Sequence, residues 1–205
     1  MEILCRNAIL ESLDSDDNNS LFILPLLERS QVGKITTDLR LGYDFLVSIN
    51  TRKPVIEINE RESDDYRGIS SHFQMTRRDL GDNFILYPNQ LVITTSLEYI
   101  SVPDNMFLEI MSRSSYTRLG IHVSTTIQPG YRGCIPIELF NHGNNAIQLV
   151  SGSRLFQAKI FKLAESHDYL SPNKFRKYYG HTRPLPSRAN TDSDLEILYK
   201  YKISK

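Results

Sequence analysis

Phe84-Ile85-Leu86-Tyr87, a break at Pro88-Asn89-Gln90, then Leu91-Val92-Ile93-Thr94-Thr95 is the stretch that decides the fold. Both runs are apolar, rich in β-branched and aromatic residues, too short for an ordinary helix and bounded by turn formers, so they read as successive strands. The same pattern extends outward in both directions. Upstream lie Leu21-Phe22-Ile23-Leu24, Phe45-Leu46-Val47-Ser48-Ile49 and Val55-Ile56-Glu57-Ile58. Downstream lie Phe107 to Met111, Gly133 to Phe140, Ala146 to Val150 and Arg154 to Phe161, the last two joined by the tight connection Ser151-Gly152-Ser153. No helical stretches of about 10 to 15 residues alternate with these strands, which disfavours a doubly wound sheet or a βαβ barrel. An all-β fold, barrel or sandwich, is expected.

Other segments punctuate this plan. Ile9, Leu10 and Leu13 recur at helical spacing before the polar stop Asp14 to Ser20, predicting one short helix at the start. Asn59 to Asp82 is polar and charged and is expected to loop or to carry a short irregular element. Ser171 to Arg188 mixes Lys, Arg and Tyr with Pro172, Pro184 and Pro186, which forbid a regular helix or a central strand; it reads as an arm that needs a surface to order it. Asp194 to Tyr201 predicts a last short helix with no evident task, and no internal repeat is visible.

A chain of 205 residues suits a single domain with a substantial core. Its 24 Lys plus Arg balance 24 Asp plus Glu, which argues against a generic duplex-DNA or membrane-surface binder. Two cysteines, Cys5 and Cys134, cannot build a disulfide framework or a four-ligand zinc site and favour a reducing compartment. With no apolar run of about 18 residues and no basic-then-apolar leader, the expectation is a cytoplasmic protein without membrane or nucleic-acid partners.

The neutral total conceals segregation. Between Ile110 and Ile160 stand Arg113, Arg118, Arg132, Arg154 and Lys159 against one carboxylate, Glu138, and Ser171 to Arg188 adds five more cations with no acid. Glu138 sits in Ile135-Pro136-Ile137-Glu138-Leu139-Phe140, where apolar neighbours would desolvate it while arginines stabilise its charge. Two readings stay open: an outward-facing strand residue paired to one arginine, or a general base in a basic pocket. In Met111-Ser112-Arg113-Ser114-Ser115-Tyr116-Thr117-Arg118-Leu119-Gly120, hydroxyls and guanidinium groups alternate just after a strand. Such a turn can be a solvated surface feature, or it can bind phosphate oxygens without a Gly-x-x-x-x-Gly-Lys loop, which the chain lacks.

Competing chemistries lack their residues. The His-x-Glu with Pro-Cys-x-x-Cys pattern of zinc nucleobase deaminases is absent. Cys134, between Gly133 and Ile135, reads as a small hydrophobe rather than a nucleophile. His122, His142 and His181 show no metal-ligand spacing with a second His or a carboxylate.

Taken in order, the motifs resemble one family. Ile35-Thr36-Thr37-Asp38-Leu39-Arg40-Leu41-Gly42, Arg113 to Gly120, Ile127-Gln128-Pro129-Gly130-Tyr131-Arg132-Gly133, Ile137-Glu138-Leu139, Gly152 with Gln157, and Lys177-Tyr178-Tyr179-Gly180-His181 with Pro184 and Ser187-Arg188 resemble the dCTP deaminase branch of the dUTPase superfamily. The resemblance spans about residues 3 to 188. It implies a distorted dUTPase-like β-barrel or jelly roll with short peripheral helices, assembled as a homotrimer with sites at subunit interfaces. It also implies a domain over 1–189, of which 171–189 is the arm closing over the site, and a tail over 190–205.

The activity implied is hydrolytic, metal-free deamination of dCTP to dUTP and ammonia, with Mg²⁺ bound to the nucleotide triphosphate, no zinc, and dTTP as a candidate inhibitor. Glu138 moves protons between water, ring and leaving ammonia, Ser114 positions the water or the base, and Arg118 holds Glu138. Arg113, Ser115, Lys177 and Tyr169 face phosphates, and the backbone at Ile135, Pro136 and Ile137 reads the pyrimidine edge. Two positions depart from the family pattern: Gln128 replaces the sugar-contacting Asp, and His181 replaces the Gln of the arm. Gln128 removes the carboxylate a dUTPase uses to activate water, which weakens the case for pyrophosphate release more than for deamination. His181 could meet phosphate when protonated. The alternatives are a dUTP diphosphatase, a bifunctional enzyme forming dUMP, or a catalytically weakened trimeric nucleotide-binding protein.

Overall fold

The computed structural model describes residues 1–52, 55–58, 68–167 and 176–203. The strands in chain order are β1 (Glu2–Ile3), β2 (Phe22–Leu24), β3 (Thr37–Arg40), β4 (Asp44–Ser48), β5 (Phe73–Arg77), β6 (Asn83–Leu86), β7 (Leu91–Ser101), β8 (Met106–Ser112), β9 (Ile121–His122), β10 (Ser124–Ile127), β11 (Arg132–Asn141), β12 (Ile147–Val150) and β13 (Arg154–Lys162). Three short helices accompany them: α1 (Arg6–Leu13), α2 (Ser114–Thr117) and α3 (Ser193–Ile203). The all-β expectation holds.

One sheet runs β1-β13-β8-β10, with β3 also on β13. The other runs β5-β4-β7-β11-β9, with β2 also on β7, and β6 pairs β12 separately. All the strand pairs are antiparallel. Alternation sets which face is buried. Along β8, Met106, Leu108, Ile110 and Ser112 point inward while the residues between them are half-buried. Beside them on β13 in the same sheet, Ala158 pairs with Ile110 and Ile160 with Leu108, extending the buried face that the core packs against. Phe45 of β4 stacks on Phe84 of β6 with ring centroids 4.1 Å apart, tying the small β6–β12 pair to the larger sheet.

Two expectations are corrected. Val55 to Ile58 forms no strand and is exposed, because its apolar residues meet no second sheet among the described residues. The polar insert is not all loop: a 3-10 turn at Ile69–His72 leads into β5, which pairs with β4 through Leu46 and Met75; residues 59–67 lie outside the described set. Its half-polar sequence, Phe-Gln-Met-Thr-Arg, is that of an edge strand and lacks a strong apolar signal. Among the described residues no helix is long and apolar enough to cross a membrane.

Candidate active site

The turn carrying Ser114 and Arg118 is built from both sheets. Arg113 donates its backbone N–H to Leu155 O (2.9 Å) at the start of β13, and Ser112 and Thr117 share a hydroxyl hydrogen bond of 2.8 Å that pins α2 to the end of β8. Gly120 has φ +99°, and a Cβ there would lie 2.5 Å from Gly143 N, so only glycine lets the two turns meet. The His142 N–H donates to Gly120 O (2.9 Å), joining the exit of α2 to the end of β11. Ser114, Ser115 and Arg118 are left exposed on this scaffold.

Glu138 lies at the middle of β11, opposite Ile93 of β7, with Ile137 and Leu139 turned into the core. The apolar flanks therefore do not desolvate it: in the single chain its side chain is exposed, on the outward face. Among the described residues no hydrogen bond or ion pair joins it to Ser114 or Arg118.

The edge of β11 away from β7 divides into three stretches. At one end Gly180 N donates to Arg132 O (2.8 Å) and Cys134 N donates to His181 O (2.9 Å), so the arm runs beside the strand on its own chain. At the other end β9 pairs at Phe140 and Asn141. Between them the edge has no strand partner among the described residues. Two-residue alternation from His142 puts the main-chain groups of Glu138 and the carbonyl of Pro136 on that open edge. Ile135 does not contribute its N–H there. Its N–H points to the other side, toward β7, where the register is irregular between Cys134 and Pro136 and the Ser96 hydroxyl accepts it at 2.8 Å, and the side chain is fully buried.

Lys177, Arg183 and Arg188 of the arm are engaged within the chain. Lys177 is ion-paired to Asp192 of the tail, Arg183 faces Asp44 at 3.6 Å, and Arg188 donates to Lys177 O at 2.6 Å. The arm thus finds its ordering surface on its own body, and the tail has a contact the sequence did not reveal. Tyr169 lies outside the described residues. Gln128 follows β10 and is exposed, and His181 is half-buried. Cys134 is buried, and desolvation, reinforced by the charge of Glu98, pushes its thiol up to about 11, consistent with an inert small side chain. His122, His142 and Phe140 cluster by their rings, but among the described residues no group of three or more His, Cys, Asp or Glu could hold a metal ion.

Sequence reasoning missed the buried acids. Among the described residues the buried carboxylates are Asp44 and Glu98. Glu98 is fully buried on β7 and accepts from Gln31 Nε2 (3.1 Å) and from Arg40 N (2.9 and 3.2 Å). Burial drives it up to about 7 against the pull of these donors. The folded state thus holds a proton that the unfolded chain has already released, so this stabilising contribution is full below about pH 4.5 and lost as pH rises through 7. Unfolding free energy should fall by on the order of 3 kcal/mol between pH 4.5 and 8 from this group. In Glu98→Gln, urea titrations across that range should lose this slope; an unchanged slope would assign the titration to another group.

Against known proteins, a family model described as dCTP deaminase-like matches residues 3–163. The chain is 30% identical over 96% of its length to a dCTP deaminase, dUMP-forming, of Methanobrevibacter smithii, covering all of that protein. It is 31% identical to a dCTP deaminase of Haloarcula marismortui, over 94% of this chain and 97% of that one. Among solved structures, 2'-deoxycytidine 5'-triphosphate deaminase from Agrobacterium tumefaciens shares the fold, with TM-score 0.57 and 23% identity over 77% of this chain. The match spans about half the length of that structure, 47%.

Proposed function

The chain belongs to the dCTP deaminase-like family, and from that premise we propose that it hydrolyses the exocyclic amine of dCTP, giving dUTP and ammonia at sites between the subunits of a homotrimer. The observation that carries this reading is the open edge of β11, with Glu138 at its centre and the basic arm along one end. A cytosine needs in-plane main-chain partners for its edge and a carboxylate near C4, and this edge offers both.

In this mechanism Glu138 accepts a proton from the water that attacks C4 and passes it to N3, then accepts the proton of the new C4 hydroxyl and delivers it to the departing amine, so that water and dCTP are converted to dUTP and ammonia with no net proton consumed by the chain. Ser114 positions the water or the base. Arg118 holds Glu138 and the charge that develops on the ring. Pro136 and Glu138 read the pyrimidine edge through the main chain. Arg113, Ser115 and Lys177 meet the phosphates, Gln128 meets the sugar, and Mg²⁺ arrives with the triphosphate as part of the substrate. Lys177 exchanges its Asp192 partner for phosphate when nucleotide binds. The exposure of Glu138 in the single chain supports an interface site, because only a second subunit can wall it off from solvent.

A second reading, in which the same site also cleaves dUTP to dUMP and pyrophosphate, is favoured by the dUMP-forming name of the M. smithii relative. It is opposed by Gln128, whose amide cannot take a proton from an attacking water. One incubation separates them. With dCTP and Mg²⁺ the expected products are dUTP and ammonia; dUMP with pyrophosphate establishes the second reading, and tight dCTP binding without any product would leave only a nucleotide-binding role.

A further inference from the structure

The Asp-Leu-Arg-Leu stretch of β3 has no part in the chemistry above, yet it faces the proposed phosphate-binding turn. Asp38 Oδ2 lies 3.7 Å from Arg113 Nε and 3.9 Å from Arg154 Nη1, while Gln157 Nε2 donates to Asp38 Oδ1 at 3.2 Å. Arg113 also donates from Nη1 to Arg154 O at 3.0 Å. Arg154 is itself anchored away from the turn, on Glu28 Oε2 (2.6 Å) and Ser30 Oγ (2.9 Å). One Nη of the Arg113 guanidinium is thereby hydrogen-bonded inward and Nε faces Asp38 at ion-pair distance, while Nη2 has no partner among the described residues.

From this geometry we infer that Asp38 is a positioning residue for the triphosphate: it holds Arg113 so that the free face of its guanidinium points at the phosphates. The inference rests on the function proposed above. A guanidinium carries five donors in a rigid fork, so fixing Nε and one Nη fixes the direction of the rest. Gln157 in turn keeps Asp38 from following Arg154.

The sign of one substitution separates this from a bulk charge effect. Asp38 is an anion close to where an anionic substrate binds, so if it acted only through its charge, Asp38→Asn would tighten triphosphate binding. As a positioning residue its loss weakens it. The expected result is a rise in KM for dCTP of about tenfold with kcat changed by less than about twofold, since Arg113 does not touch the reacting carbon. In an Arg113→Ala background the same substitution should change nothing. A fall in KM, no change, or an equal loss in both backgrounds overturns the inference. Should Asp38→Asn fail to fold, Gln157→Ala keeps the carboxylate, removes its tether, and should raise KM in the same direction by a smaller factor; no rise there overturns the inference equally. Wild-type protein that releases no ammonia from dCTP would defeat the proposed function instead. The cycle can then be read by calorimetry with inorganic triphosphate, where the same signs apply.

Discussion

Glu138→Gln is expected to lose ammonia release from dCTP by on the order of 10²- to 10⁴-fold, the span that general acid–base groups contribute. The substitution preserves shape and removes only the ability to take a proton. Glu138 is an exposed residue on the outward face of β11, with no hydrogen bond or ion pair to another described side chain. Stability and assembled mass should therefore stay at wild-type values, measured by thermal melting and light scattering. Loss of that assembly would show instead that the substitution acts through subunit contacts rather than through proton transfer. Full activity in the variant would return Glu138 to the other reading its sequence context allows, a solvent-facing strand residue.

The largest effect on stability should come from Phe45→Ala. Phe45 is fully buried on β4, and its ring lies nearly parallel to Phe84, 5° apart in plane. Truncation removes that stack and leaves a cavity between strands whose main chains are fixed by ladders on both sides of β4. A loss of about 3–5 kcal/mol follows from large-to-small substitutions of this kind, against a total of about 5–15 for an ordinary domain. Urea unfolding should show the drop in midpoint with an unchanged slope. Phe22→Ala is the control, since Phe22 is 46% exposed on the edge strand β2 and should cost far less. Equal losses at the two positions would mean that the region around Phe45 is not packed as described.

What the sequence revealed and what it hid have a common physical cause. Strands buried on one or both faces declare themselves by apolar runs, and β4, β6, β7, β8, β11 and β13 were legible for that reason. β3, β5 and β10 were not, because Thr-Asp-Leu-Arg, Phe-Gln-Met-Thr-Arg and Ser-Thr-Thr-Ile pair through the backbone while their polar side chains do other work. The site shows the same division. The hydroxyl and guanidinium turn and Glu138 could be picked out because their residue types are unusual where they stand. The exposure of Glu138 agrees with the outward-facing of the two readings its context allowed, because alternation along a strand turns an acid outward when both its neighbours face the core; which arginine, if any, meets it could not be read. Nor could the partners of Asp38, Asp44 and Glu98: each lies at least thirty residues away along the chain in at least one contact, and single-sequence patterns carry nothing about such pairings.

The attachment of the arm to β11 has a consequence for how this protein can vary. Its recorded links to the strand at Gly180 and His181 are main-chain hydrogen bonds, and a backbone amide or carbonyl is supplied equally by almost any residue. Docking of the arm therefore does not depend on which side chain stands at position 181. The side chain there is free to change in charge and shape without the arm losing its berth. A histidine in place of the family's glutamine is a substitution of that permitted sort.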